Sequence, residues 1–271
     1  MIKQAIIPLA GLGTRLLPLT SVMPKELLPI NGRPGLEYII DECIEAGINE
    51  IIFILSPKKQ LIKKYFYSDS FYKKIIKKKK YDKKLKSEYL KIKKYKKRIK
   101  FVYQNSPRGT GDAVLKCKNL IKSDYFMMLM PDDLIVQKNC SKALISLHNK
   151  YKASIIASKK VEKKNVSRWG MFKIRKIDKK NFYIKDVIEK PSLNNAPSNY
   201  AVIGRYILPK KIFKVLQHQK PGKNGEIHIT DSIRNLVLKG NKFIGHIFAG
   251  KYLDCGSMDG YINSTLKISK L

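Results

Sequence analysis

The sequence predicts an α/β fold in which a central, mostly parallel mixed sheet is covered by helices on both faces. The first observation is an apolar strand, an amphipathic helix and a second strand in succession, at residues 2–8, 35–46 and 50–55. The second is the same alternation at 126–130, 138–151 and 154–157. Strands that alternate with helices along a chain pair in parallel and need helices to cover them. With 271 residues the chain can bury a large core, and we expect one domain spanning residues 1–271.

The individual elements have local signatures. The run Ala5-Ile6-Ile7 is apolar and of strand type, and a glycine loop follows it. In helix 35–46 apolar side chains recur from Leu36 to Ile44 at spacings of three and four, which puts them on one face, and Gly47 ends the helix. From about residue 160 the chain becomes rich in strands. We predict further strands at 99–104, 171–174, 182–189, 201–208 and 242–249, and further helices at 113–120, 210–218, 230–239 and close to the carboxyl end.

Residues 73–100 are the compositional outlier, with 16 lysines and arginines against two acidic residues, Asp82 and Glu88. Apolar residues there keep a rough helical spacing, so we predict one or two basic helices within a lysine-rich helical insertion at about 60–98. The net charge of +35 fits either nucleic-acid binding or a solvated surface enriched in lysine by genomic bias. The solvated surface is favoured because no nucleic-acid-binding motif accompanies the charge, and we expect no specific nucleic-acid partner.

Cysteine spacing and hydropathy indicate the compartment. The four cysteines lie far apart without a C-x-x-C pair, which argues against a zinc site or a disulfide framework and favours a reducing cytoplasm. The amino-terminal residues lack the basic and long apolar regions of a secretory signal. The longest apolar runs, such as 51–55 and 126–130, are too short to span a bilayer. We therefore expect a cytoplasmic protein with no membrane partner.

The loop after the first strand has the composition of a phosphate site. Gly11 and Gly13 let the backbone turn sharply, and the exposed N–H groups of such a turn can bind an anion. Thr14 adds a donor, and Arg15 and Lys25 add positive charge. The alternative is an ordinary tight turn, since neither G-x-G-x-x-G nor the Gly-Lys-Ser/Thr of a P-loop is present. The two cations favour the phosphate site, because a plain turn does not require them.

Two adjacent carboxylates, Asp132 and Asp133, follow the apolar strand at 126–130. Open α/β sheets bind ligands at the carboxyl ends of their strands. Carboxylates at that place suit Mg²⁺, a hard cation that is held by few carboxylates together with substrate phosphates. A cap on a turn or helix is the alternative, and the residues alone do not decide between the two.

Motifs along nearly the whole chain are similar to those of the sugar-nucleotide pyrophosphorylases. They are Ala10-Gly-x-Gly-Thr-Arg15 with Pro24-Lys-Glu26, Gln104-x4-Gly109-x-Gly, the strand end at Asp132, Glu189-Lys190-Pro191 and Gly225-Glu-Ile-His-Ile-Thr-Asp231. The resemblance implies a Rossmann-like three-layer nucleotidyltransferase fold. It implies a uridylyltransferase that takes UTP and glucose 1-phosphate to UDP-glucose and pyrophosphate by in-line attack, with Mg²⁺ as cofactor. Thymidylyl or other nucleotidyl transfer to a sugar 1-phosphate stays open, as does a polyanion-binding protein that keeps the fold.

The resemblance also implies roles for individual residues. Arg15 and Lys25 would neutralise the triphosphate and the leaving pyrophosphate, and Lys190 would hold the attacking sugar phosphate. Asp132 would ligate Mg²⁺, with Asp254 of an Asp-x-Gly turn as the second ligand. The resemblance implies a nucleotide site at Ala10, Gly11, Gly13, Thr14, Glu26, Gln104 and Gly109, and a sugar-phosphate site at Gly170, Glu189, Lys190 and Val202.

Three positions depart from the family pattern. Ser21 stands where members usually carry a lysine, so one cation beside the triphosphate would be missing. Asp112 replaces the usual histidine beside the segment that reads the base, and His228 replaces a glutamine. The resemblance further implies a homo-oligomer, either a dimer or a tetramer.

Overall fold

The computed structural model describes residues 2–79 and 82–270. Its strands are β1 (Gln4–Pro8), β2 (Pro29–Ile30), β3 (Arg33–Pro34), β4 (Glu50–Leu55), β5 (Ile99–Tyr103), β6 (Tyr125–Leu129), β7 (Asp133–Val136), β8 (Ser154–Lys160), β9 (Met171–Lys176), β10 (Asn181–Ile188), β11 (Tyr200–Pro209), β12 (Phe243–Ile247) and β13 (Lys251–Asp254). Its helices are α1 (Gly35–Glu45), α2 (Gln60–Tyr67), α3 (Asp69–Lys78), α4 (Lys83–Lys96), α5 (Thr110–Leu115), α6 (Cys140–Tyr151), α7 (Ile212–His218), α8 (Ile229–Leu238) and α9 (Met258–Ile268).

The centre of the molecule is a nine-stranded sheet in the order β5-β4-β1-β6-β11-β8-β12-β10-β9. The strands β5, β4, β1 and β6 are mutually parallel, and β8 is parallel to β12. The strand β11 is antiparallel to β6 and β8, and β10 is antiparallel to β12 and β9. Seven strands therefore point one way and two are reversed, which confirms the mostly parallel mixed sheet.

Helices cover both faces of this sheet. On β1, Ile7 packs into the core beneath α1, α2, α4 and α6, whereas its neighbour Ile6 packs into the core beneath α5, α7 and α8. Successive side chains of a strand point to opposite faces, so a strand covered on both sides is apolar throughout. This explains the uninterrupted apolar run at the start of the sequence and confirms the three-layer α/β fold.

A two-stranded ribbon, β7 with β13, is not apparent from the sequence. The two strands are antiparallel, and Asp133 pairs with Asp254 in their register. Each strand has only four residues, which is too short for a clear alternation. The ribbon is important for the site, because it brings residue 254 beside the end of β6.

Helix α5 also differs from its predicted bounds of 113–120, since it begins at Thr110 and ends at Leu115. Gly111 reads as a loop residue in the sequence but is helical. Its N–H donates to the Ile227 carbonyl at 2.7 Å, which fixes the start of the helix against a distant segment. Tertiary contact therefore overrides the low helix propensity of glycine here.

The lysine-rich insertion consists of α2, α3 and α4. Its apolar stripe is thin, with Ile62 and Phe66 of α2 and Ile92 and Tyr95 of α4 buried, and no residue of α3 buried. Residues 80 and 81, which belong to the predicted insertion, lie outside the described residues. Over residues 2–79 and 82–270, no helix has the length and apolarity that crossing a bilayer requires.

Candidate active site

The residues implied by the motifs surround two adjoining cavities at the carboxyl ends of the parallel strands. The glycine loop follows β1, Gln104 follows β5, and Asp132 follows β6. Parallel strands end at the same edge of a sheet, which explains why these three segments meet. We call the two spaces the loop cavity and the carboxylate cavity, and they share three wall residues, Thr110, Met130 and Glu226.

The loop cavity collects every residue of the implied nucleotide site. Gly13 has a φ of 74°, a conformation that favours glycine, and its carbonyl accepts a hydrogen bond from the Thr20 hydroxyl at 2.9 Å. A side chain at Gly13 would also meet Thr20 at 3.1 Å, so the turn needs glycine there for space as well as for conformation. The implied residues that line this cavity are Ala10, Gly11, Gly13, Thr14, Lys25, Glu26, Gln104 and Gly109.

Glu26 is paired with a residue that the sequence did not single out. The Lys59 ammonium donates to both carboxylate oxygens of Glu26, at 2.8 and 2.9 Å, and Glu26 is only 3% exposed. Burial lowers the pKa of Lys59, and the attraction of Glu26 offsets only part of that effect. Lys59 therefore neutralises a buried carboxylate in the wall of the cavity.

Gln104 lines the loop cavity and is almost fully buried. Its side-chain nitrogen donates to the Gly109 carbonyl at 3.2 Å and to the Asp112 carboxylate at 2.7 Å. Gly109 has a φ of 100°, and a side chain there would meet the backbone of Ile227 at 2.7 Å. The loop from 104 to 112 is thus held tightly against the segment that contains Ile227.

Asp132 is the central acid of the carboxylate cavity. The Lys25 ammonium donates to its Oδ2 at 2.5 Å, and the exposed Arg15 guanidinium lies 3.9 Å from the same oxygen. Burial raises the pKa of Asp132, but the charge and hydrogen bond of Lys25 outweigh burial and hold the pKa below its ordinary value. Burial likewise lowers the pKa of Lys25, and the attraction of Asp132 and Glu26 more than reverses that effect. Both partners are therefore charged at neutral pH.

Asp133, the second acid of the pair after β6, is held by hydrogen bonds from β11 and β13. Its oxygens accept hydrogen bonds from the Gly204 N–H at 2.8 Å and from the Tyr252 hydroxyl at 2.5 Å. Burial and the neighbouring Asp132 charge raise the pKa of Asp133 to about 6. A side chain at Gly204 would collide with the Asp133 carboxylate, so β11 needs a glycine here. Asp133 ties β7 to β11, and it also lines the carboxylate cavity beside Asp132.

Asp254 provides the second acid of the cavity, from the end of β13. Its Oδ2 accepts from the Arg168 guanidinium at 2.7 Å, and its Oδ1 accepts from the Gly256 N–H at 2.9 Å. A side-chain carbon at Gly256 would stand 2.9 Å from Asp132 Oδ2, 3.0 Å from the exposed Arg15 guanidinium and 3.2 Å from Asp254 Oδ1. The absence of a side chain at Gly256 thus leaves a space that both carboxylates border.

That space fits the donor chemistry of Mg²⁺. Oxygen ligands suit this ion, which commonly takes one or two carboxylates and completes its octahedron with water and substrate phosphate. Asp132 Oδ2, which borders this space, accepts from Lys25, whereas Asp132 Oδ1 accepts no hydrogen bond from another residue in the described part of the chain. No cluster of three or more metal-ligating side chains occurs within the described ranges.

The residues of the implied sugar-phosphate site, Gly170, Glu189, Lys190 and Val202, also line the carboxylate cavity. The Val202 N–H donates to the Gly170 carbonyl at 2.8 Å, and the Glu189 carboxylate accepts from the Thr230 hydroxyl at 2.7 Å. A side chain at Gly170 would meet Val202 at 3.0 Å and Glu189 at 3.2 Å, so the strands close up around this glycine. Lys190 has a φ of 44°, and its ammonium lies 4.0 Å from Glu189.

Sequence reasoning did not single out several residues that shape the site. Thr230 holds Glu189, Tyr252 holds Asp133, and Arg168 neutralises Asp254. Thr230 lies inside the recognised motif at 225–231, and Arg168 lies two residues before the implied sugar-phosphate residue Gly170, so their positions were a usable signal. Tyr252 and Lys59 carry no pattern that separates them from the many other tyrosines and lysines of the chain. The departing residue His228 lines the carboxylate cavity, whereas Ser21 bonds to the Pro18 carbonyl on an exposed turn.

Comparisons with known proteins assign the chain to a family. The nucleotidyl transferase family model matches residues 4–270. A putative UTP–glucose-1-phosphate uridylyltransferase of Methanocaldococcus jannaschii is 38% identical over 268 residues, 99% of this chain and 93% of the relative. The UTP–glucose-1-phosphate uridylyltransferase of Bacillus subtilis is 36% identical over 270 residues, 99% of this chain and 91% of the relative.

Solved structures agree with this assignment. A UDP-glucose pyrophosphorylase complexed with UDP-glucose has a TM-score of 0.88 at 35% identity and covers 100% of this chain and 99% of its own. The UTP-bound enzyme from Acinetobacter baumannii has a TM-score of 0.87 at 33% identity and covers 99% of this chain and 93% of its own. The chain belongs to the nucleotidyl transferase family, in the group of the UTP–glucose-1-phosphate uridylyltransferases.

Proposed function

We propose that this protein transfers a uridylyl group from UTP to α-D-glucose 1-phosphate and releases pyrophosphate. The observation that carries the proposal is the convergence of all the implied nucleotide and sugar-phosphate residues on two cavities with a common wall. Relatives with this activity in their names are 35–38% identical over essentially the whole chain, which supports the same substrate pair.

The loop cavity would hold UTP. The backbone around Gly11 and Gly13 offers N–H groups to the phosphates, and Arg15 and Lys25 supply the positive charge that a triphosphate needs. Gln104 and the Gly109 backbone would contact the edge of the uracil ring. The shared wall at Thr110 and Met130 would put the α-phosphate at the junction of the two cavities.

The carboxylate cavity would hold the sugar phosphate. The Glu189 carboxylate accepts hydrogen bonds and is held by Thr230, so it suits a sugar hydroxyl. The ammonium of Lys190 would hold the phosphate of glucose 1-phosphate against the α-phosphorus of UTP. Fixing the two reactants in this way provides proximity, which is a large share of catalysis in phosphoryl-type transfer.

Asp132 and Asp254 would hold Mg²⁺ in the space left by Gly256. The ion, when bound, supplies a Lewis acid for the α-phosphate oxygens. A phosphate oxygen of glucose 1-phosphate forms the new bond to the α-phosphorus, and the bond to the bridging oxygen of pyrophosphate breaks. The attacking phosphate is already anionic near neutral pH, so the chain needs no general base. Arg15 and Lys25 neutralise the charge that leaves with pyrophosphate.

Two further properties belong to the same proposal. The four cysteines are buried free thiols, which supports a reducing, cytoplasmic setting. A homo-oligomer, either a dimer or a tetramer, stays a prediction, and light scattering on the purified chain would test it.

Pyrophosphate release tests the proposed function. The purified chain would be given glucose 1-phosphate, Mg²⁺ and one of UTP, CTP or ATP. We expect release with UTP to exceed release with ATP by at least about a hundredfold, because a purine does not match the hydrogen-bonding edge offered by Gln104. Equal turnover with ATP would contradict the assignment of the base site. No release with any nucleotide, while the chain still binds polyanions, would favour the polyanion-binding alternative.

A further inference from the structure

The side chain of Asp112 makes a buried contact with Gln104 that the family pattern does not explain. Gln104 Nε2 lies 2.7 Å from Asp112 Oδ2, and the two residues are 4% and 6% exposed. Asp112 occupies the first turn of α5. Its second oxygen, Oδ1, lies 3.4 Å from the Lys116 ammonium one turn later.

The neighbours of Gln104 fix which end of its amide points into the cavity. The amide nitrogen faces two groups, the Asp112 carboxylate and the Gly109 carbonyl at 3.2 Å. An ionised carboxylate and a carbonyl accept hydrogen bonds and cannot donate them. Turning the amide over would place Oε1 against both acceptors and leave them unpaired in a buried place, which is costly.

The other end of the Gln104 amide, its oxygen Oε1, is therefore available as a hydrogen-bond acceptor. Gln104 Oε1 accepts no hydrogen bond from any residue in the ranges that the structure describes. The Gly109 N–H likewise donates to no group within those ranges. One fixed acceptor and one adjacent donor therefore border the loop cavity, which both residues line.

We propose that Asp112 is a positioning residue that locks the Gln104 amide so that the site accepts uracil and rejects cytosine. The inference rests on the proposed function. Uracil offers an N–H at N3 and a carbonyl beside it, which complements the acceptor of Gln104 and the donor of Gly109. Cytosine offers a lone pair at N3 and an amino group beside it, so it opposes acceptor with acceptor and donor with donor. An amide free to turn over would pair with either base.

The test compares UTP with CTP in the Asp112→Asn variant. The asparagine amide either donates or accepts, so in a side chain of the same size only the longer contact with the Gly109 carbonyl still favours one orientation of Gln104. We expect the ratio of kcat/KM for UTP to that for CTP to fall by about tenfold or more, mainly through a higher KM for UTP. The Lys116→Gln variant is the matched control, because it removes the other partner of Asp112 and leaves the contact with Gln104. In the Lys116→Gln variant, the ratio of kcat/KM for UTP to that for CTP should equal that of the unmodified chain.

Each other outcome is informative. Equal losses of kcat/KM with both nucleotides in Asp112→Asn would show a merely structural role and overturn the proposal. If that variant does not fold, dissociation constants of UTP and CTP for the unmodified chain replace it, and equal values overturn the locked amide. A chain that prefers UTP over CTP in binding, yet releases no pyrophosphate with glucose 1-phosphate, would contradict the proposed function while leaving the locked amide in place.

Discussion

Two cation–carboxylate pairs lie close to the end of β6: the pair of Arg205 with Glu42 is buried, and the pair of Lys25 with Asp132 is partly buried. Arg205 donates to the Met130 carbonyl, and Lys25 donates to the Asp132 carboxylate. The pairs combine the same kinds of charge but differ in how completely their hydrogen-bonding atoms are used.

We call the pair between Arg205 and Glu42 closed, because both groups are surrounded by hydrogen-bond partners from the chain. The guanidinium makes three contacts with the carboxylate at 2.8 to 3.0 Å and donates to two backbone carbonyls, at Met130 and Gly204. Ser141 donates to Glu42 through both its N–H and its hydroxyl. Arg205 is fully buried, so this pair joins α1, α6 and β11 without access to a ligand.

The pair between Lys25 and Asp132 is open. It consists of one short contact at 2.5 Å, with the Arg15 guanidinium 3.9 Å away. Asp132 Oδ1 has no partner from another residue in the described part of the chain, and both cavities reach the pair. Saturated hydrogen bonding therefore marks a structural ion pair, and unsaturated hydrogen bonding marks one that can exchange partners with substrate and metal.

The largest expected effect concerns the open pair. Asp132→Asn keeps the shape of the side chain but removes the charge that would hold Mg²⁺. We expect kcat/KM for UTP to fall by about a thousandfold or more, with little change in thermal stability. Steady-state pyrophosphate release and a melting curve measure the two quantities. Turnover within tenfold of the unmodified chain would contradict the role of Asp132.

Substitution in the closed pair should mainly lower the stability of the protein. Arg205→Met leaves the Glu42 charge uncompensated in the core, so we expect the free energy of unfolding to fall by about 3–5 kcal/mol. The double variant Arg205→Met with Glu42→Leu is the control, and it should recover much of the loss because no buried charge remains. Denaturant unfolding measures both. A single variant within about 1 kcal/mol of the unmodified chain would show that the pair is not a structural tie.

A smaller effect is expected where the open pair borders the space at Gly256. The backbone there needs no positive φ, so Gly256→Ala adds a methyl group without backbone strain, 2.9 Å from Asp132 Oδ2. We expect the Mg²⁺ concentration for half-maximal turnover to rise by about tenfold, since the methyl group fills the space that both carboxylates border. Turnover titrated with Mg²⁺ tests this, and an unchanged titration would place the metal elsewhere.

The smallest effect on stability is expected at Arg15. Its side chain is 66% exposed and 3.9 Å from Asp132, so the pair is screened by solvent. Arg15→Gln should change the free energy of unfolding by less than about 0.5 kcal/mol, yet raise the KM for UTP several-fold because a charge facing the triphosphate is lost. A loss of stability like that of Arg205→Met would remove the distinction between the open and closed pairs.

Much of the site was predictable because strand ends converge. Gly13, Gln104 and Asp132 each follow an apolar strand, and parallel pairing places these ends on one edge. Asp254 followed from the resemblance alone, since the short ribbon that delivers it has too few residues to show a pattern.

Other features depend on packing that no local pattern encodes. Lys59 is one of 56 basic residues, and only the fold reveals that its ammonium contacts both oxygens of Glu26. Arg205 lies on β11, three residues after Val202, which was implied to line the sugar site. The register of β11 puts Val202 in the cavity and turns Arg205 into the opposite layer.

Formation of UDP-glucose by the purified chain is the central test of the proposed uridylyl transfer. UTP and glucose 1-phosphate would be incubated with the chain after chelation of divalent metal, with and without added Mg²⁺, and the nucleotide sugar quantified by chromatography. UDP-glucose and pyrophosphate should form in equal amounts with Mg²⁺, and neither should form without it. Absence of UDP-glucose at saturating Mg²⁺, or equal amounts in the presence and absence of metal, would contradict the proposed transfer.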